Sequence, residues 1–212
     1  LLSADFEVLL LAGEPLQEEQ SAAHLLQHYT GFRVELLPGF SRAVNPVADL
    51  RSYRTICSYI STFCPGIVHT HGSKPGVLGR IAAKRLGVPV ILHTYHGHVF
   101  HGYFHPIVSG IIVRLERWLA KRSTALIAIN RQLQQELVHQ YKIAPAAAVL
   151  LNRLGINHAG FRDPDGQKRS RFRQEVGLAP NDIVIGIVGR LVPIKQHSLF
   201  VQLVAGLLAS LN

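Results

Sequence analysis

One alternation constrains this chain more than any other feature. Short runs apolar on both faces lie at residues 7–12 (EVLLLA), 33–37 (RVELL), 66–70 (GIVHT), 88–94 (VPVILHT), 124–129 (TALIAI) and 148–151. Stretches with helical spacing, at 47–63, 75–86, 108–122 and 131–141, separate the later ones. A strand that leaves no face for water must be covered on both sides. The pattern therefore predicts α/β architecture: a parallel sheet of βαβ units with helices on both faces. Gly87 stands where the 75–86 helix should stop, the place for a left-handed cap.

From 158 to 173 the texture changes to HAGFRDPDGQKRSRFR, polar, turn-rich and basic as interdomain connections are. Beyond it, IVIGIV at 183–188 reads as a further buried strand and 198–210 as a helix. The expected organisation is a first domain at 1–160, a linker at 161–180, and the first strand and helix of a second domain at 181–212. One strand and one helix bury no core, so the rest of that second domain is expected to lie beyond residue 212. The chain holds no Met and starts at Leu1, so it is expected to be a piece of a longer protein.

With 48% hydrophobic and 17% charged residues, a disordered or collagen-like chain is excluded. Two cysteines form no disulfide framework, and a reducing, cytoplasmic setting is the expectation. Cys57 and Cys64 read as small buried hydrophobes. The longest apolar run, 107–113, is far too short to span a bilayer. The formal charge of +9 calls for an anionic partner: nucleic acid, a phosphate-bearing substrate or a membrane surface. Nucleic acid fits poorly, because no aromatic residues interleave with the basic ones on a sheet face. The basic runs at 84–85, 114–122 and 168–173 read first as solvated helix faces or linkers, and the last two alternatively as contacts to anionic lipid or phosphate.

Ligands of open parallel sheets sit beyond the carboxyl ends of the strands. Four loops qualify: His71-Gly72-Ser73-Lys74-Pro75-Gly76, the stretch from Tyr95 to His101, residues 152–157 with Gly155, and Gly189-Arg190 through Lys195. Each sets Gly beside polar or basic side chains, so backbone amides and cations can approach an anion. Histidines crowd the first two: His69, His71, His93, His96, His98, His101 and His105 fall within 37 residues. His96-Gly97-His98 has ligand-like spacing, yet no carboxylate or Cys completes a metal set, and the first acid after the cluster is Glu116. The better reading is one or two neutral histidines aimed at a sugar hydroxyl or phosphate oxygen, with no metal. His69 and His93 fall within strands and can simply be packed. Arg190 and Lys195, five residues apart after a strand, suit the developing charge of a diphosphate leaving group.

Four segments, in order, carry a resemblance: IVHTHGSKPGVLGRIAAKRLGVPVILHTYHGHVF (67–100), ERWLAKRSTALIAIN (116–130), LLNRLGINHAGF (150–161) and IVIGIVGRLVPIK (183–195). Together they resemble the bacterial family-4 (group 1) retaining glycosyltransferases of the GT-B fold. The resemblance implies two Rossmann-like domains, the first facing the acceptor and the second holding a nucleotide-diphosphate sugar. It implies sugar transfer to a saccharide or lipid-linked acceptor with retention, in polysaccharide or cell-envelope glycan synthesis, without metal or cofactor; for an enzyme extending lipid-linked glycans, the +9 charge makes peripheral contact with an anionic inner membrane face an expectation. His96 matches the histidine of the family's T-[FY]-H turn near the reacting centre. Arg190 and Lys195 match the GR…K pair that holds the donor diphosphate. His71, Gly72, Gly97 and, more weakly, His98 belong to the cleft loops, and Gly155 matches the glycine of the segment joining the domains. The family's first strand with its Gly-rich loop, and the glutamates of its E-x7-E pair, have no counterpart in these residues. The fragment alone is therefore expected to be inactive. A sugar-nucleotide epimerase of the same architecture and an inactive remnant are the alternatives, and zinc-dependent hydrolysis a further one.

Overall fold

Each apolar run before residue 152 forms a strand, and every strand pairing is parallel among the described residues. The structure, a computed structural model, describes residues 5–13, 32–41, 43–97, 100, 105–155, 158–189 and 191–210. It forms two units, Leu1–Gly155 and Ile156–Asn212.

In the first unit β1 (Val8–Gly13) pairs with β2 (Phe32–Leu37), while β3 (Ile67–His71), β4 (Val90–Tyr95), β5 (Ala125–Ala128) and β6 (Val149–Leu151) form a second ladder in sequence order. Among the described residues the expected sheet is thus two ladders that share a core. Leu11, Leu37 and Phe40 pack with Ile56 and Ile60 of α1 (Pro46–Phe63) and with Ala82 and Ala83 of α2 (Ser73–Arg85) around Ile91. The second core gathers Tyr95, Leu126 and Val149 with Leu133 and Leu137, from α4 (Arg131–Gln135) and the π turn that continues it (Glu136–Gln140). Helix α3 (Pro106–Ala120) crosses from β4 to β5 and contributes Ile112 and Val113.

Local chemistry sets the helix starts. Asn45 caps α1, its side chain accepting from the N–H groups of Val47 and Ala48 at 3.1 Å, with Pro46 at the first turn. Asn130 does the same for α4 through the N–H of Leu133 at 2.8 Å. Cys64 departs from expectation. It lies exposed in the left-handed cap of α1, its thiol donating to the Ser61 carbonyl, because the chain must reverse there before β3.

In the second unit the expected linker contains a helix, α5 (Gln167–Glu175), whose leading amides on Lys168 and Arg169 donate to the Asp163 carboxylate at 3.0 and 2.8 Å. Helix α6 (His197–Ser210) stands as expected. Residues 183–188 do not form the expected buried strand: they belong to no ladder and are exposed throughout. An extended run becomes a strand only when neighbours accept its backbone hydrogen bonds, and no described residue of this unit is buried.

Candidate active site

Strands β3 and β4 run in register, Ile67 beside Val90 through His71 beside Thr94, so side chains on each pleat face meet across the pair. On one face Thr70 and His93 meet, the threonine Oγ1 lying 2.8 Å from the His93 Nδ1. His93 is 2% exposed, and burial, aided by the nearby Arg80 charge, pushes its pKa down to about 2. It is a packed, neutral ring, as its place in a strand allowed. Helix α2 comes close here because it is built on glycine: a Cβ on Gly76 would lie 2.5 Å from the His93 ring, and one on Gly79 2.7 Å from the Thr70 methyl.

The same face carries a buried ion pair that the sequence reading missed. Arg80, fully buried, donates through Nη2 to both Glu116 oxygens at 3.0 and 2.8 Å and through Nε to the Gly76 carbonyl at 2.7 Å. The Tyr95 hydroxyl donates to Glu116 at 2.5 Å, and burial together with that carboxylate raises the Tyr95 pKa beyond its ordinary range. The available signals were small. Arg80 stands among small and apolar neighbours (GRIAA), and Glu116 occupies the inward position of a helix otherwise lined by Ser109, Ile112, Val113 and Leu119.

The opposite face presents the other histidines. The His69 Nε2 lies 2.7 Å from the Thr94 hydroxyl, the His69 and His71 rings are 4.3 Å apart, and His71 Nδ1 meets His96 Nε2 at 2.9 Å. All three rings belong to exposed residues. Partial burial lowers the His71 pKa to about 4, with His69 and His96 adding repulsion, and lowers His69 in the same direction. Neutral near pH 7, His71 supplies either the lone pair or the N–H of its bond to His96, and so sets which role the His96 Nε2 takes. The pair sits where parallel strands end and loops begin, able to offer a donor and an acceptor to a hydroxyl-bearing ligand.

Gly72 and Gly97 frame this edge with φ of 75° and 147°, conformations that side chains resist. Gly72 caps α2 with no side-chain hydrogen bond. Lys74, in the first turn of α2, is not available to an anion, since its ammonium bonds the Ala43 carbonyl and pairs with Asp49 at 2.6 Å. His105 accepts from the Ile107 N–H at the start of α3. Gly155 ends the first unit in open space. Lys195 ends a 3-10 turn (Pro193–Lys195) of the second unit and is exposed. Arg190, His98 and His101 lie outside the described residues. Among the described residues no three His, Cys, Asp or Glu are grouped to hold a metal ion. A concavity of about 590 Å³ between β2 and α1, lined by Arg33, Arg54 and Tyr59 among others, contains none of the site residues.

Residues 1–155 match the glycosyl transferase 4-like domain. The chain is 29% identical over 211 residues to the UDP-Gal:alpha-D-GlcNAc-diphosphoundecaprenol alpha-1,3-galactosyltransferase of Escherichia coli, covering 95% of this chain and 54% of that protein. It is 32% identical over 149 residues to D-inositol 3-phosphate glycosyltransferase 2 of Catenulispora acidiphila, covering 68% of this chain and 34% of that one. Putative glycosyltransferase EpsD of Bacillus subtilis is 30% identical over 149 residues, with coverage of 65% and 36%. The chain thus spans from about a third to about half of these relatives. A glycosyltransferase structure from Rickettsia africae superposes with a TM-score of 0.57 at 16% identity, over 88% of this chain and 54% of the other. A sucrose-phosphate synthase structure from Thermosynechococcus elongatus gives 0.51 at 13%, over 82% and 88%; both show the fold alone. With a parallel α/β first unit, a histidine edge at the carboxyl ends of β3 and β4, and a family match over residues 1–155, the chain belongs to the family-4 glycosyltransferases of the GT-B fold.

Proposed function

We propose that the full-length protein transfers a sugar, with retention, from a nucleotide-diphosphate sugar to a saccharide or lipid-linked acceptor. The observation that carries this reading is the paired His71 and His96 at the carboxyl edge of β3 and β4, in a chain of this family. The E. coli relative, named for transfer from UDP-Gal to a diphosphoundecaprenol-linked sugar, supports the choice of donor and acceptor classes. His96 positions a hydroxyl near the reacting centre. Arg190 and Lys195 receive the negative charge of the departing diphosphate, with no metal or cofactor taking part. The enzyme works in the cytoplasm, at the inner face of the membrane. The 212 residues alone give no turnover, since nothing described in the second unit is buried.

The test uses the full-length protein with a panel of nucleotide sugars and lipid-linked acceptors. Acceptor-dependent release of nucleoside diphosphate is expected, with the product anomer retained. Arg190→Ala or Lys195→Ala should lower kcat/KM by ~2–4 kcal/mol, and His96→Ala should lower it as well. Unchanged kinetics would remove the diphosphate role, and isomerised donor in the absence of acceptor would make the protein an epimerase instead.

A further inference from the structure

We infer that the outer face of α3 is a docking surface for an anionic phospholipid membrane. The inference deepens the membrane-side part of the proposed function and rests on that reading for its biological setting only. The helix is 15 residues long, and at 3.6 residues per turn Ser109, Ile112, Val113, Glu116 and Leu119 fall on one face, which packs into the first unit. On the other face Ile107, Ile111, Leu115 and Trp118 follow one another along a single stripe, 68%, 58%, 37% and 43% exposed. Isolated exposed apolar side chains are ordinary, but four in line on one helix form a patch.

The exposed charges on this helix are all positive. Arg114 and Lys121 share the stripe's face and are exposed, and the Arg122 guanidinium lies 3.6 Å from the Trp118 ring centroid. The helix's one acid, Glu116, is turned inward to Arg80. An apolar stripe bordered by cations, with an amphipathic aromatic at its end, matches the boundary between acyl chains and phosphate headgroups. A second copy is a poor occupant, because each chain carries +9. The helix would lie along the membrane, since among the described residues no helix is long and apolar enough to cross one.

Trp118 is the chain's one tryptophan, so intrinsic fluorescence reports on this helix directly. Titrating the 212-residue chain with equimolar phosphatidylglycerol/phosphatidylcholine vesicles should shift its emission to the blue and bring it down with the vesicles. Binding should be at least ~10-fold weaker on pure phosphatidylcholine and should weaken with added salt. Ile111→Asp, and separately Arg114→Glu with Lys121→Glu, should each weaken binding about 10-fold or more with an unchanged circular dichroism spectrum. Ile111→Leu should bind as the parent does. An unmoved Trp118 emission, binding that survives both variants, or lipid-independent self-association that buries Trp118 would each overturn the assignment. If the full-length protein turns over its donor while Trp118 stays in water, the docking surface falls and the transferase reading stands. Insertion without turnover under any donor would mean the reverse.

Discussion

The two faces of the β3–β4 pair are built from alternate residues of the same two strands and do opposite things. On the inner face, Thr70, His93 and Tyr95 are buried, with Thr70 bonded to His93 and Tyr95 bonded to the Arg80–Glu116 pair, which leaves only the Arg80 Nη1 without a partner among the described buried side-chain atoms. On the outer face, His69, His71 and His96 hydrogen-bond in the same manner but remain open to solvent. A histidine is therefore not a site because of what it bonds to. What separates the faces is which one the glycines of α2 bring a helix against.

The contrast breaks first at Glu116. Glu116→Leu leaves Arg80 charged and unpaired in a site where its Nη1 already lacks a partner, and should cost about 3–5 kcal/mol in urea unfolding. Adding Arg80→Met should return much of that, because the cost is an orphaned charge rather than a lost shape. Next comes Gly76→Ala. Its Cβ would press on a buried ring that has nowhere to move, and the expected loss is roughly 2–3 kcal/mol by the same measurement.

Acid should sharpen the comparison. The His93 pKa is lowered from 6.5 to about 2 in the folded chain, so the unfolded chain takes up the proton first. The stabilisation is complete above about pH 6.5 and is lost as pH falls. By pH 5 His93 alone should have removed about 2 kcal/mol, a share of the slope that His93→Gln should remove in urea titrations at two pH values. His71, with its pKa lowered to about 4, adds to the loss in the same direction. The smallest effect belongs to the outer face: above about pH 7, where His71 is neutral folded or unfolded, His71→Asn should leave stability within ~0.5 kcal/mol while moving the His96 ring-nitrogen shifts by NMR. A large stability loss there would erase the distinction between the faces.

One contact of the candidate site was legible in the sequence, while Arg190 and His98 lie outside the described residues and Lys195 belongs to the other unit. His71 and His96 lie 25 residues apart in the chain, yet the rule that ligands gather at strand carboxyl ends placed them in neighbouring loops, and they meet at 2.9 Å. The cation expected beside Gly72, Lys74, is instead claimed by Asp49 from α1, which nothing local in the sequence announces. Arg80 and Glu116 were missed for a like reason: 36 residues separate them, and only the packing of α2 against α3 makes them partners.

Local patterning by itself determined the order and type of the strands and helices of the first unit, the caps at Asn45 and Asn130, and the parallel pairing that doubly apolar strands require. These follow from side chains within a few positions of one another and from the need to bury both strand faces. Tertiary structure decided the rest: the division into two ladders, the inward turn of His93, the buried ion pair, and the failure of 183–188 to become a strand. Each of these depends on what lies across a contact, and a strand or a buried charge exists only if its partner is there to complete it.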